Sequence, residues 1–225
     1  MSGSALWDEL DGYALALTGK QILWLWKQGL AFPVRDRGRY IAVHPEAGPV
    51  GAARAAVCAD GIWEPQPDGT PVLVFAVADD PFSFTADGAS FFETIVDLVA
   101  FNPKEPDVWW RRNGCGRWLG EGWIELARDR DVDIDLRFFA TPADWLKGRS
   151  RGVCLLEPFV GLDVGGRGLK RGGERLYLRE TLWGVENIVC DDYDHAARLD
   201  AALDKLPPRP ARPVLSFNDE QGRAA

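Results

Sequence analysis

Residues Glu186–Leu206 read ENIVCDDYDHAARLDAALDKL. An apolar strand-length run, Ile188 to Cys190, gives way at Asp191–Asp192 to a helical pattern. Ala196, Leu199, Ala202, Leu203 and Leu206 recur at the spacing that puts them on one helix face. Upstream, TPADWLKG (Thr141–Gly148) reads as a short helix, with Thr141 as N-cap and Pro142 at the first helical position. VCLLE (Val153–Glu157) reads as a buried strand, and ENIVCDD as another. The rhythm strand, connection, strand, helix is that of a parallel unit. It predicts an α/β (or α+β) fold: a mixed sheet with flanking helices and a C-terminal parallel strand–helix unit.

Working back from there, Asp131–Phe139 alternates charged and apolar residues. Period two predicts a strand with Val132, Ile134, Leu136 and Phe138 inward. Asp131, Asp133 and Asp135 would then line the other face, roughly 6–7 Å apart. Such a row can hold a cation or meet a partner; it can equally be a solvated, aggregation-resistant face. Before it lies DLVAFNPKEPDVWWRRNGCGRWLGEGWIEL (Asp97–Leu126), with Trp109, Trp110, Trp118 and Trp123 among prolines and glycines. It reads as the packing knot between the elements on either side, with Arg111 and Arg112 at its turn. WWRRNG suggests a short strand or turn and GRWLG a helical turn. GWIELA fits a strand or a helix start equally.

Further upstream, Thr85–Phe101 predicts a helix with Phe91, Ile95, Leu98 and Val99 as its stripe. VLVFAVA (Val72–Ala78) predicts a central strand. Alanine-rich Pro49–Asp60 predicts a short helix. VRDRGRYIAVHP predicts two extended pieces around a tight turn at Asp36–Gly38. Residues 5–30 predict one helix closed near Gly29; Trp24 and Trp26 could serve a partner groove, and the preferred reading has one packed inward and the other at the edge. The organisation expected is one compact domain over 1–206, with a possible N-terminal subdomain (1–80) and a C-terminal α/β unit (127–206). Residues 207–225 form a Pro-rich, frayed tail.

Composition narrows the function. The chain has 225 residues, 46% of them hydrophobic, and a formal net charge of −8. That balance argues against bulk binding of duplex nucleic acid, which runs on clustered Lys and Arg. Cys58, Cys115, Cys154 and Cys190 form no CxxC pair, so a zinc knuckle is not expected. Free thiols make a reducing cytoplasm the simplest compartment. No signal peptide and no membrane span are expected.

Candidate chemistry gathers in the last third. Strand-end acids, Glu157 after VCLL and Asp192 with Asp194 after NIVCD, stand where parallel sheets carry their sites. The pattern resembles the toprim arrangement of primases and topoisomerases. That resemblance implies Glu157, Asp192 and Asp194 as ligands of Mg²⁺ in phosphoryl transfer on nucleic acid. Pro158 and Ala197 stand where the family has glycine, and acids at a strand–helix junction are also ordinary caps. GLDVGGRGLKRGGERLYL (Gly161–Leu178) is the first choice for a phosphate or nucleic-acid contact, through Arg167, Lys170, Arg171 and Arg175. It matches no P-loop. No nucleophile signature accompanies the two histidines. His44 reads as structural and His195 as a surface or capping residue.

DLVAFNPKEPDVWWRRNGCGRWLG, TPADWLKG with GVCLLE, and IVCDDYDHAARLDAAL together resemble an uncharacterised group of proteobacterial and prophage proteins, over roughly residues 90–210. The resemblance implies a role in replication or host takeover. The leading expectation is a non-catalytic accessory protein of a phage-like element with a protein partner. Its surface would be Trp109, Trp110, Arg111, Arg112 and the three aspartates. The alternative is the Mg²⁺-dependent toprim-like enzyme.

Overall fold

The computed structural model describes residues 3–36, 38–45, 47–58, 61–78, 95–129, 131–149, 151–156, 178 and 180–204. Glu157, the Gly-Arg segment and the tail lie outside them.

Two helices open the chain, α1 (Gly3–Leu15) and α2 (Gly19–Lys27). The single helix expected over 5–30 is broken by Thr18, which caps α2 in a reciprocal box with Gln21. Thr-x-x-Gln was the available signal. Gly29, at φ 71°, ends α2: its N–H donates to Trp26 and that of Leu30 to Leu25. This is a Schellman closure, which needs a left-handed residue at that point.

A seven-stranded antiparallel sheet follows: β1 (Phe32–Asp36), β2 (Arg39–His44), β3 (Gly48–Val57), β4 (Trp63–Pro65), β5 (Thr70–Ala78), β6 (Ile95–Asn102) and β7 (Glu105–Arg111). The order is β1-β2-β3-β5-β6-β7, with β4 paired to β3. The β1–β2 hairpin and the central β5 are as expected. Where two helices were expected, the described residues are strands: 49–57 lies in β3 and 95–101 in β6, while 59–60 and 85–94 lie outside the described residues. Strand β6 is covered on both faces, so its apolar residues run on without alternation and imitate a helical stripe. In β3 the small residues serve close approach. A Cβ on Gly51 would lie 2.5 Å from Tyr13 Cβ, so α1 seats directly on the strand. Asn102 Oδ1 accepts from Lys104 N–H in the β6–β7 turn, which is what NPKE encodes.

The sheet curls. Ile62 forms an isolated bridge with Arg111, bringing the start of β4 to the end of β7. Leu6, Leu10 and Trp63 fill one face with Val74, Leu98 and Ala100.

The second sheet is built from β8 (Trp118–Leu119), β9 (Leu136–Phe139), β10 (Val153–Leu155) and β11 (Ile188–Cys190), in the order β11-β9-β10-β8. Strands β10 and β11 both run parallel to β9, as the C-terminal pattern predicted. Three helices complete it: α3 (Gly122–Arg128), α4 (Pro142–Lys147) and α5 (Tyr193–Asp204). GWIELA is thus helix, and GRWLG contributes a strand, not a helical turn. Only Leu136–Phe139 of the alternating stretch is strand. Asp129 turns the chain before it, accepting Asp131 N–H on its side chain and Val132 N–H on its carbonyl. Asp131, Asp133 and Asp135 are exposed on that turn, not on a sheet face. Strand β11 is an outer strand with Val189 exposed, less buried than its apolar run suggested.

The sheets share one core. Val50, Phe75 and Phe101 of the first pack with Phe139, Trp145, Leu146 and Cys154 of the second unit. Among the described residues no helix is long and apolar enough to cross a membrane.

Candidate functional site

Three places bear on function: the strand ends of the small sheet, the Trp-rich crossing, and the outer face of α2.

Helix α4 packs into the core between the sheets, whereas α5 lies on the opposite face of the small sheet, with Leu199 against Leu136 and Phe138. The connections after β9 and β11 therefore leave to opposite faces, and the crevice at their ends is a topological switch point. Asp191, Asp192, Asp194 and His195 stand there. Asp191 Oδ1 accepts from His195 Nδ1–H at 2.6 Å, and its Oδ2 accepts from Ala140 N–H at 2.9 Å. The carboxylate thus ties β11 to the end of β9. Asp192 Oδ1 accepts from His195 N–H at 2.6 Å, the capping role. Asp194 is exposed in the first turn.

His195 is not the surface residue expected. It is buried against Phe138 at 5.2 Å between ring centroids. Helix α5 is phased so that His195 and Leu199 point inward and Ala196 outward. Treating histidine as polar had turned the first turn away from the core. Strand β9 stands between β10 and β11, so their ends are two strand spacings apart, roughly 10 Å. Among the described residues no group of three or more His, Cys, Asp and Glu is arranged to hold a metal ion. The glutamate of the expected triad, Glu157, lies outside the described residues, as do Arg167, Lys170, Arg171 and Arg175.

The Trp-rich stretch crosses from one sheet to the other. Its organiser is Asp97, a fully buried carboxylate that sequence reading left unremarked. Oδ1 accepts backbone N–H groups of Leu98, Arg112 and Asn113 at 2.8–3.0 Å, and Oδ2 accepts that of Gly116 at 2.9 Å. Converging amides are what a buried charge requires. They fold RRNGCG into a fixed turn, which Gly116 permits: a Cβ there would meet Asp97 Cβ at 2.9 Å. Arg111 donates to Gly116 O. Arg112 donates to Glu9 at 2.9 Å and lies over the Trp63 ring. Glu9 also accepts from Tyr13 Oη–H, and burial followed by Glu9 pushes the Tyr13 phenol upward. Trp109 and Trp110 are half-buried, and Trp109 Nε1–H donates to Leu156 O across the sheets. Trp118 is in the core.

His44 is structural, as expected. Its Nε2–H donates to Leu146 O at 3.1 Å and its Nδ1 accepts from Ala47 N–H at 3.3 Å. Burial pushes it down to about 4, with the Leu146 carbonyl opposing. All four cysteines are free thiols. Burial, then Asp191, pushes Cys154 and Cys190 upward.

At the third place the packing expected of Trp24 and Trp26 is corrected. Helix α2 buries Ile22 and Leu25, and leaves Leu23 (47%), Trp24 (41%) and Trp26 (50%) exposed. Neither tryptophan packs inward. Exposed Lys20 and Lys27 lie among them. Arg35 pairs with exposed Tyr40 in the β1–β2 hairpin. These two lie on the sheet face that α2 covers, because Ala42, two residues on, shares a cluster with Ile22 and Leu25. From Gly12 to Arg35 the sequence has no acid, although the chain carries 34. ILWLWK, apolar all round on so short a helix, was the signal.

No family model, no curated protein and no solved structure matches this chain.

Proposed function

We propose that this protein is a non-catalytic interaction protein that holds a protein partner on the outer face of α2. The observation that carries the reading is the exposure of Leu23, Trp24 and Trp26 around the outward half of one short helix. Large apolar residues grouped on a surface mark contact sites, and tryptophan is the residue most enriched at interface centres. The strand-end acids support it from the other side, since Asp191 and Asp192 are engaged in holding β9 and the start of α5. Accessory work for a phage-like element, in nucleic-acid metabolism or host takeover, is part of the proposal and rests on the resemblance over residues 90–210.

A photo-crosslinking residue in place of Trp26, in the source cells, tests it. One discrete protein adduct is expected, abolished by Leu23→Ser with Trp24→Ser. The same probe in place of Tyr193, exposed on another face, should give none. Equal adducts at both places would remove the reading.

The second reading, a toprim-like Mg²⁺ enzyme, is favoured by one feature: Asp192 and Asp194 follow a strand that runs parallel to its neighbour at a switch point. Mg²⁺ or Mn²⁺ titration read by thermal shift separates the two. Saturable stabilisation that Asp192→Asn abolishes would favour the enzyme. On the interaction reading the divalent ions leave both proteins alike.

A further inference from the structure

We infer that the face of α2 takes a short acidic amphipathic segment of a partner protein, in helix-on-helix contact; this rests on the interaction reading above. Two features choose the occupant. The first is charge. Lys20, Lys27 and Arg35 are exposed and, among the described residues, none of them is paired with a carboxylate. These three exposed cations stand in a chain whose formal net charge is −8. A long polyanion such as nucleic acid, or an anionic bilayer, would meet that overall negative charge beyond the patch. A short acidic segment covers only the patch and meets only its cations.

The second feature is shape. Lys20 and Trp24 are four residues apart, as are Leu23 and Lys27, so apolar and cationic side chains neighbour one another on the outward side. An amphipathic helix matches that surface, with apolar anchors on Leu23 and Trp24 and carboxylates toward the two lysines. Addition of an extended strand next door is disfavoured. β1, the outer strand, carries Pro33, which has no N–H to give an added strand.

The test is fluorescence anisotropy with a labelled helical peptide of Leu, Phe and Glu, about four turns long. Its counterpart with Lys for every Glu, a single-stranded oligo-dT and phosphatidylserine vesicles are the other probes. The acidic peptide should bind saturably and the lysine peptide should not. Trp24→Ser should weaken binding. Lys20→Glu with Lys27→Glu should weaken it about fivefold to tenfold, since each exposed pair is worth a few-fold. Lys104→Glu, a charge reversal in the β6–β7 turn, should leave it unchanged. All these side chains are exposed, so the variants should melt with the wild type.

Equal binding of both peptides, or binding indifferent to α2 variants, overturns the inference. So does α2-dependent binding of oligo-dT or vesicles with the acidic peptide silent, or concentration-dependent dimerisation that Trp24→Ser abolishes. If the crosslink at residue 26 captures a partner while the acidic peptide fails, the interaction reading survives and this inference does not.

Discussion

Two groups of tryptophans in this protein have opposite fates. Trp24 and Trp26 sit on a short helix and remain exposed. Trp109, Trp110 and Trp118, in the Gly- and Pro-rich crossing, are half-buried or buried. On the page the helix pair lies in a smooth apolar run, and the crossing group lies among turn residues and arginines. Intuition assigns the core to the first and a binding surface to the second. The difference lies in what surrounds each. α2 is a surface helix whose inward places are taken by Ile22 and Leu25. The crossing residues run between two sheets, so each ring finds cover, and the arginines beside them are committed to Glu9 and Gly116. Neighbouring elements, and not the residues themselves, decide whether an aromatic is core or contact.

Four substitutions or titrations test what holds each region in place. The largest effect belongs to Trp118→Ala. Trp118 packs edge-on against Phe138 at 5.6 Å, and its loss should cost about 3–5 kcal/mol in urea denaturation. Survival with wild-type stability would erase the distinction between the two groups.

Second is His44, which joins the first sheet to α4. Its folded value is near 4 against 6.5 for the free side chain, so the folded protein binds fewer protons than the unfolded chain between those values. The stabilisation it gives is complete above about 6.5 and is lost as pH falls through about 4. The whole span is roughly 3 kcal/mol. Stability curves of wild type and His44→Gln against pH should differ in slope within that window and run parallel above it. Identical slopes would show that the imidazole is not held neutral.

Third, Asp97→Asn keeps the size but replaces an acceptor oxygen with a donor facing backbone amides. At least one buried amide N–H then lacks a partner, costing about 1–3 kcal/mol. Hydrogen exchange at residues 112–116 should rise more than exchange in β5. Uniform change across both regions would mean that Asp97 does not organise that turn. The smallest effect is that of Trp24→Ser with Trp26→Ser, expected within about 0.5 kcal/mol each for exposed positions. A loss comparable to Trp118→Ala would mean that α2 is anchored by its tryptophans, and the proposed contact face would go with it.

The candidate sites were legible in unequal parts. The α2 face was in plain view as ILWLW between Lys20 and Lys27. A partner groove was one reading of it, and inward packing was preferred because aromatic residues usually turn inward. Asp97 was hidden because one acid in an apolar strand carries no pattern: its partners are amides supplied by a turn 15 residues and more away. His195 was misplaced because it replaces an apolar residue on the inward stripe. Asp192 caps α5, one of the two readings open to the acids at that junction; the cap could be read because capping is a local relation between neighbours.

Local chemistry along the chain is enough for several elements. The C-terminal strand–helix unit, the Thr141 cap, the β1–β2 hairpin and the stop at Gly29 all follow from residues within a few positions of one another. Tertiary structure decided whether a continuous apolar or alanine-rich run became helix or strand. β6 is a strand because its neighbours cover both faces, and β3 because β2, β4 and β5 supply its hydrogen bonds. It decided equally which tryptophans are core. Backbone geometry and capping are short-range and can be read along the chain. Burial is a relation between distant segments, and no window of sequence contains it.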